Sequence, residues 1–513
     1  MCGNSVEDSR GKPGLLRCDM TRSGSALTRV LYGLLFLQVT LLVLGVQGQS
    51  CHVDEAWLGE QAYWEAKDGL PRQVLMSGMF HLEDRALVRH KLFISMGSLV
   101  TRFTGFDLYH LRTISLAAGL FLLWLIFWYM RGHEEGNRLA FLFSVTVLLS
   151  CPLAFRYMKI YRPEYVLAAF GFLGFFLLCG YIQRNRLSDV VLSGVFAGAA
   201  ALAHMNGIIF ILAGFGVLIR YRRWNACALF GALSVGIAAL YFYDVVGNFD
   251  LFRLQFFNDF TVDGTRYGFT DSLLRLVGEH MRYFRTPEII GISSLFAISL
   301  PAAVRGKVGR TGPLPLYLLL LFVFLGITAK SVTTKYAIPL LPFFTVVIGL
   351  TFSGLIRGGI RVVRWYRNLL FLFLFVYVGY GVYCAVNETF MKRTNTVREN
   401  ARIARSMERG ARILAPTRFV FDEIEHYDIR DLFAARYLIM HAGGTPFNLT
   451  SLCEYARNHQ IRYMVIDPKY RSSACIDPRR MFPPVWGYEV VKVYTDGTLL
   501  LREYKQDRIQ PNS

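Results

Sequence analysis

Asp54 and Glu55 are adjacent carboxylates in the stretch CHVDEAWLGEQAYW (residues 51–64), which follows directly on a long apolar run. A third acid, Glu164, stands in Tyr161-Arg162-Pro163-Glu164 where another apolar run begins. Seven basic side chains also lie at the ends of apolar segments: Arg89, His90, Lys91, Arg156, Lys159, Arg162 and Lys335. Carboxylates beside a cationic ring suit transfer of a group from a phosphate-linked substrate. The acid accepts a proton from the attacking hydroxyl, while guanidinium and ammonium groups bind the phosphate and stabilise its departure. Each residue also has a plainer role open to it. Asp54 can cap a helix with Glu55 in its first turn, and Glu164 follows a proline suited to a helix start. The cations can snorkel to lipid head groups. Capping alone does not explain why acids and cations gather on one side.

That side is set by the apolar segments. The chain of 513 residues is 53% hydrophobic yet carries a net charge of +19. Apolar runs of about 20 residues, enough to cross a hydrocarbon core of ~30 Å, recur along it. The expected spans are 27–46, 108–130, 139–155, 164–182, 188–204, 206–220, 224–243, 286–304, 311–328, 332–354 and 368–386. The fold class is therefore a polytopic α-helical membrane protein with about 11 transmembrane helices. The first run is long for a cleaved signal peptide, so it reads as a retained helix. A cytoplasmic N-terminal segment (1–26) makes the inner loops RGHEEGNR, QRNR, RYRR, RGKVGR and RGGIRVVRWYR, short and mostly basic as the positive-inside rule requires. The positive charge is a topology signal and excludes nucleic acid as the expected partner; the lipid bilayer takes its place.

On this topology the loops 47–107, 156–163 and 244–285 face outward, and so does the tail 387–513. The first loop predicts two surface helices, 54–67 and 90–105, the second with an apolar stripe at Leu92, Phe93, Met96, Leu99, Val100 and Phe103. The tail alternates strand-like runs (418–422, 462–468, 488–495, 498–504) with helix-like ones (396–412, 428–441, 449–459), which predicts a C-terminal extracytoplasmic α/β domain. Cys453 and Cys475 share this side and could pair. Asn387 and Asn448 head glycosylation sequons, a short and common pattern. His52 and His204 make no case for a metal site, and Trp124, Trp128 and Tyr129 read as interfacial anchors.

VDEAWLGEQAYWEAKDGLPR resembles the first outer loop of the GT-C superfamily of membrane glycosyltransferases. The likeness is to the branch of protein O-mannosyltransferases and the lipid A aminoarabinose and galacturonic acid transferases. HKLFISMGSLVTRFTGFDLYHLRTISL, RPEYVLAAFGFLGFFLLCGY, LSGVFAGAAALAHMNGIIFI and TTKYAIPLLPFFTVVIGL follow the family's order. The resemblance implies a GT-C-like catalytic domain over 27–386 that transfers a sugar from a polyprenyl-phosphate donor, normally with inversion. The acceptor would be a glycolipid, polysaccharide or protein. It further implies Asp54, Glu55 and Glu164 as catalytic acids and the seven basic residues as donor-phosphate contacts. His90-Lys91-Leu92 lacks the proline of many relatives, and Lys335 stands where arginine is commoner. A divalent cation, Mg2+ or Mn2+, held by Asp54 and Glu164 is used by some relatives and not by others, and the spacing does not decide. The implied location is a bacterial inner (plasma) membrane, the site facing the periplasm or exterior. The alternatives are a multi-pass transporter, which would place ionisable groups or broken helices near the midplane, and a non-catalytic envelope assembly protein, which would not need both Asp54 and Glu164.

Overall fold

The computed structural model describes residues 14–132, 138–257, 276–308, 312–329, 332–391, 396–442, 444–473 and 487–504. Among the described residues, seven helices are long and apolar enough to cross a membrane: Ala26–Gly48, Leu108–Gly132, Glu164–Arg184, Trp224–Phe242, Pro287–Arg305, Thr334–Ile356 and Arg364–Met391. Four shorter apolar helices, Arg138–Leu149, Leu187–Ala203, Met205–Arg220 and Leu314–Thr328, accompany them. Every expected span thus corresponds to an apolar helix, but 139–155 is interrupted. Helix α5 (Arg138–Leu149) stops, and Pro152 opens a separate turn of helix, α6 (Pro152–Tyr157). The other labels needed are α1 (Gly14–Gly48), α2 (Val53–Asp68), α3 (Lys91–Thr104), α4 (Leu108–Gly132), α7 (Glu164–Arg184), α8 (Leu187–Ala203) and α9 (Ile208–Arg220).

The break between α8 and α9 has a local cause. His204 is extended (φ −157°, ψ 136°), and its Nδ1 accepts from the Asn206 N–H at 3.0 Å. A Cβ at Gly207 would lie 2.3 Å from the Ala200 carbonyl, so only glycine permits the close return of the chain. Tyr129 corrects the sequence reading: it is buried and packs on Phe172 and Phe175, whereas Trp124 and Trp128 are exposed.

In the first outer loop, α2 and α3 occupy the two expected stretches. The α3 stripe divides: Phe93 is fully buried while Leu99 and Phe103 face outward, because the packed face is Phe93, Ile94, Gly97, Ser98 and Thr101. Gly97 sits against Tyr161, and a Cβ there would fall 1.9 Å from the tyrosine hydroxyl and 2.9 Å from the Ala62 Cβ. Gly97→Ala should therefore cost about 1–3 kcal/mol by overpacking. Adding Tyr161→Phe should recover part of that loss, as thermal unfolding in detergent would show.

The tail folds as a five-stranded sheet in the order β2-β1-β3-β5-β4: β1 (Arg412–Ala415), β2 (Asp428–Asp431), β3 (Tyr463–Ile466), β4 (Tyr488–Val493) and β5 (Leu499–Glu503). Strand β1 pairs in parallel with β2 and β3, and β5 is antiparallel to both β3 and β4. The expected strand 418–422 is instead a helical turn, since Phe419, Val420 and Phe421 bury against the first outer loop instead of joining a ladder. Strands β1 and β2, each four residues, were not expected. Cys475 lies outside the described residues, so the Cys453–Cys475 pairing is not described. Thr389 of the first sequon is buried, whereas Asn448 is exposed and caps the helix Leu449–Asn458.

The α/β unit rests on α2. Phe421 presses on Gly59, where a Cβ would meet its ring at 2.6 Å; Trp57 packs on Phe433 with ring centroids 5.2 Å apart. Helix α2 is consequently buried on most of its circumference, between the apolar helices and the sheet unit.

Candidate active site

Asp54 sits in the first turn of α2 because His52 caps that helix. The His52 Nδ1 accepts from the Asp54 N–H at 3.2 Å, and Glu55 reaches back to the His52 N–H at 2.8 Å. Burial, reinforced by Arg162, lowers the His52 pKa to about 4, so the cap is a neutral imidazole. The Asp54 carboxylate is a quarter exposed and ion-paired with the Arg162 guanidinium, and Lys335 Nζ stands 3.4 Å from Oδ2. Arg162 is nearly fully buried and joins the two acids: its Nη2 also contacts Glu164 Oε1 at 2.5 Å, with Nε 3.1 Å from both Glu164 oxygens. Ser115 holds the Arg162 backbone on both sides, donating to its carbonyl at 2.9 Å and accepting from its N–H at 3.1 Å. Asp54, Arg162, Glu164 and Lys335 thus form one constellation from three separate stretches of chain.

Glu55 takes a different position. It is wholly buried, accepting from Arg112 Nε and Nη2 at 2.8 Å each and from the Tyr161 N–H at 2.7 Å. Arg112, equally buried on α4, spends its remaining donors on the carbonyls of Val46, Gln49 and Ser50 at 2.8–3.1 Å. This pair fastens the end of α1, the start of α2 and the 158–163 turn together. Glu55 has no free oxygen to offer a substrate, and its geometry is that of a fastener. Arg112 was not singled out from sequence, although a strong charge inside an apolar span is costly enough to signal a role.

The seven basic residues divide among three places. Arg162 and Lys335 stand at Asp54. His90 stacks on His204 with ring centroids 4.4 Å apart, and His204 meets Tyr336 edge-on at 5.7 Å. Burial holds the His90 pKa near 4, with Lys335 lowering it and Glu164 opposing, which puts this imidazole wall electrostatically within the Glu164–Lys335 site. Arg89 and Lys91 turn to another acid, Asp244: Arg89 Nη2 is 3.0 Å from it and Lys91 contacts it directly, while Arg89 Nη1 also binds Glu65 at 2.6 Å. Burial lowers the Lys91 pKa and Asp244 opposes that shift. Arg156 and Lys159 form the third group. Arg156 pairs with Glu288 at 2.6 Å and Glu388 at 3.5 Å, and the fully buried Lys159 lies 3.3 Å from Glu388. Burial lowers the Lys159 pKa to about 8. Asp244, Glu288 and Glu388, the acids that neutralise the outer two groups, are far from them in sequence and gave no signal.

The site also bears on a cation between Asp54 and Glu164. Arg162 fills the space where such an ion would bridge the acids, and no group of three or more potential metal ligands occurs among the described residues. As arranged, these two carboxylates do not fit a divalent cation.

Residues 92–246 match the model of the dolichyl-phosphate-mannose-protein mannosyltransferase family. No curated protein matches the chain in sequence. Among solved structures, ArnT from Cupriavidus metallidurans bound to undecaprenyl phosphate is similar with a TM-score of 0.62 at 14% identity, over 92% of this chain and 98% of that one. Its apo state gives 0.59 at 14% identity, over 93% and 98%. The archaeal oligosaccharyltransferase AglB from Archaeoglobus fulgidus, in complex with an inhibitory peptide and a dolichol-phosphate, gives 0.52 at 11% identity, over 94% and 75%. The chain thus shares its fold with ArnT and AglB along nearly its whole length, and its residues 92–246 match the mannosyltransferase family model.

Proposed function

We propose that the protein transfers a sugar from a polyprenyl-phosphate donor to an acceptor hydroxyl or amine at the outer edge of the membrane. The observation that carries this reading is the partly exposed Asp54 carboxylate at the head of α2, beside Arg162 and Lys335. Asp54 accepts the proton of the acceptor as it attacks the anomeric carbon. Lys335 and the His90 wall face the phosphate, whose negative charge grows as its bond to the sugar breaks. Glu164 holds Arg162 in place from the far side. Arg89 and Lys91 stay with Asp244, and Arg156 and Lys159 with their glutamates; both pairs act on the frame of the site. No step is assigned to a metal.

The two solved relatives that carry polyprenyl phosphates, undecaprenyl phosphate and a dolichol-phosphate, support the donor class. We read the four shorter apolar helices as further spans, which makes eleven, and place the α/β unit on the donor side. An outer-leaflet site in a bacterial plasma membrane, with a glycolipid, polysaccharide or protein acceptor, completes the reading. The test is transfer by the purified protein in liposomes offered polyprenyl-phosphate pentoses and hexoses in turn. Consumption of one donor, with release of the polyprenyl phosphate, is the expected result; no turnover across the panel would remove the transferase reading.

A further inference from the structure

The seam between α2 and the α/β unit contains two acids that the transfer chemistry leaves unused. Glu60, on α2, is 1% exposed and accepts from the Leu75 N–H at 3.0 Å and the Trp64 indole N–H at 3.3 Å. Asp431 ends β2 and is also 1% exposed; the donors nearest to it are the Phe433 N–H, the Trp57 indole N–H and the Ala434 N–H. No cation is among the groups acting most strongly on either acid. Asp431 instead acts on Glu60 across the seam, and Asp467 at the end of β3 acts on Asp431. The other titratable groups around them are Arg430, Arg436, Tyr455 and Tyr470. Apolar contacts flank them, Trp57 on Phe433 and Phe421 on Gly59, and two neutral or singly charged hydrogen bonds lie at the same interface, Tyr63 OH to Glu425 at 3.4 Å and Arg430 to the Val74 carbonyl at 3.3 Å. Trp57, which faces Asp431, lies three residues after Asp54 in the same helix, one turn away. A buried acid on each side of the joint with no cation beside it favours the neutral form, because a buried carboxylate without an opposite charge is strongly penalised.

We propose that Glu60 and Asp431 are positioning residues for Asp54, holding the α/β unit seated on α2 while both carboxyls keep their protons. The inference rests on the reading of Asp54 above. Burial raises the Glu60 pKa to about 8 and the Asp431 pKa to about 7, the neighbouring acids adding to each. The seated state therefore retains two protons, whereas a released seam, with ordinary carboxyl pKa values, loses them. Release is favoured as pH rises above the ordinary carboxylate range, by up to about tenfold per pH unit for each acid. The effect levels off above about 7 for Asp431 and about 8 for Glu60.

The experiment is amide hydrogen exchange of residues 57–64 and 432–437 in the full-length protein in liposomes, from pH 5 to 9, corrected for intrinsic exchange. In wild type the opening constant should rise more than tenfold per unit between pH 5 and 7 and flatten above 8. Glu60→Gln/Asp431→Asn, which cannot ionise, should show a flat profile, and each single variant an intermediate slope. A flat wild-type profile, or a double variant with the wild-type slope, would overturn the proposal. Where transfer is measurable, kcat should fall as the seam opens, with the donor KM little changed, and the double variant should lose that pH dependence. A seam that opens without any change in kcat would sink the positioning role and leave the transferase intact. Absence of transfer with a normal exchange slope would place the failure in the transferase reading and not in the seam.

Discussion

Asp54→Asn should reduce sugar transfer by about 10²–10⁴-fold, the range associated with removing a positioned general base, while the protein unfolds close to the wild-type temperature. The substitution keeps the size of the side chain and an oxygen that still accepts from Arg162, but removes the charge that takes up a proton. The fold should tolerate it for two reasons visible in the site. Asp54 is partly exposed, and Arg162 keeps its contacts with Glu164 when Asp54 is neutral. A rate measurement with the donor identified from the panel, paired with a thermal melt, checks both halves. If folded Asp54→Asn turns over like wild type, Asp54 is a helix-cap residue and the base lies elsewhere. Glu164→Gln should behave differently, losing stability as well as activity, because its buried oxygens are the main partner of a buried guanidinium.

Arg112→Leu should destabilise the protein by about 3–5 kcal/mol, the range for removing one partner of a buried ion pair. Glu55 would be left charged in a wholly buried position, and the carbonyls of Val46, Gln49 and Ser50 would lose their donors. Arg112→Leu/Glu55→Met removes both charges and should recover much of the loss, since replacing a buried pair by apolar groups is often near neutral. Denaturant unfolding in detergent distinguishes the two. Activity should stay low even in the recovered double variant, because Glu55 also fixes the Tyr161 N–H and, through it, the position of Arg162. If Arg112→Leu melts like wild type, the ion pair is incidental to the fold.

The helices were legible because their apolar runs and basic ends are local patterns, and α2 and α3 fall within a residue or two of their expected limits. Asp54, Arg162, Glu164 and Lys335 were legible as candidates from position alone, at the water ends of those runs. The pairing of charges was not. Lys91 and Arg89 read as phosphate ligands until Asp244, about 150 residues on, is seen beside them. Glu55 and Asp54 are identical in kind and adjacent in sequence. Only the helical turn that points one toward Arg112 and the other toward Lys335 separates a fastener from a candidate base. In the tail, β1 and β2 escaped notice because four-residue strands carry little periodicity, and RFVFD imitated a strand because all its apolar residues are buried for another reason.

The interruption of α5 after twelve residues bears on the bilayer itself. At 1.5 Å per residue that helix is about 18 Å long, well short of the ~30 Å hydrocarbon layer. Ten of its twelve residues are buried within the protein, so neighbouring helices and not lipid flank its short length. The mismatch that a short lipid-facing span would impose on the bilayer is therefore absorbed by protein packing. Transfer in reconstituted vesicles should accordingly vary little with acyl-chain length on account of α5, and a steep dependence would have to come from the outward-facing helices.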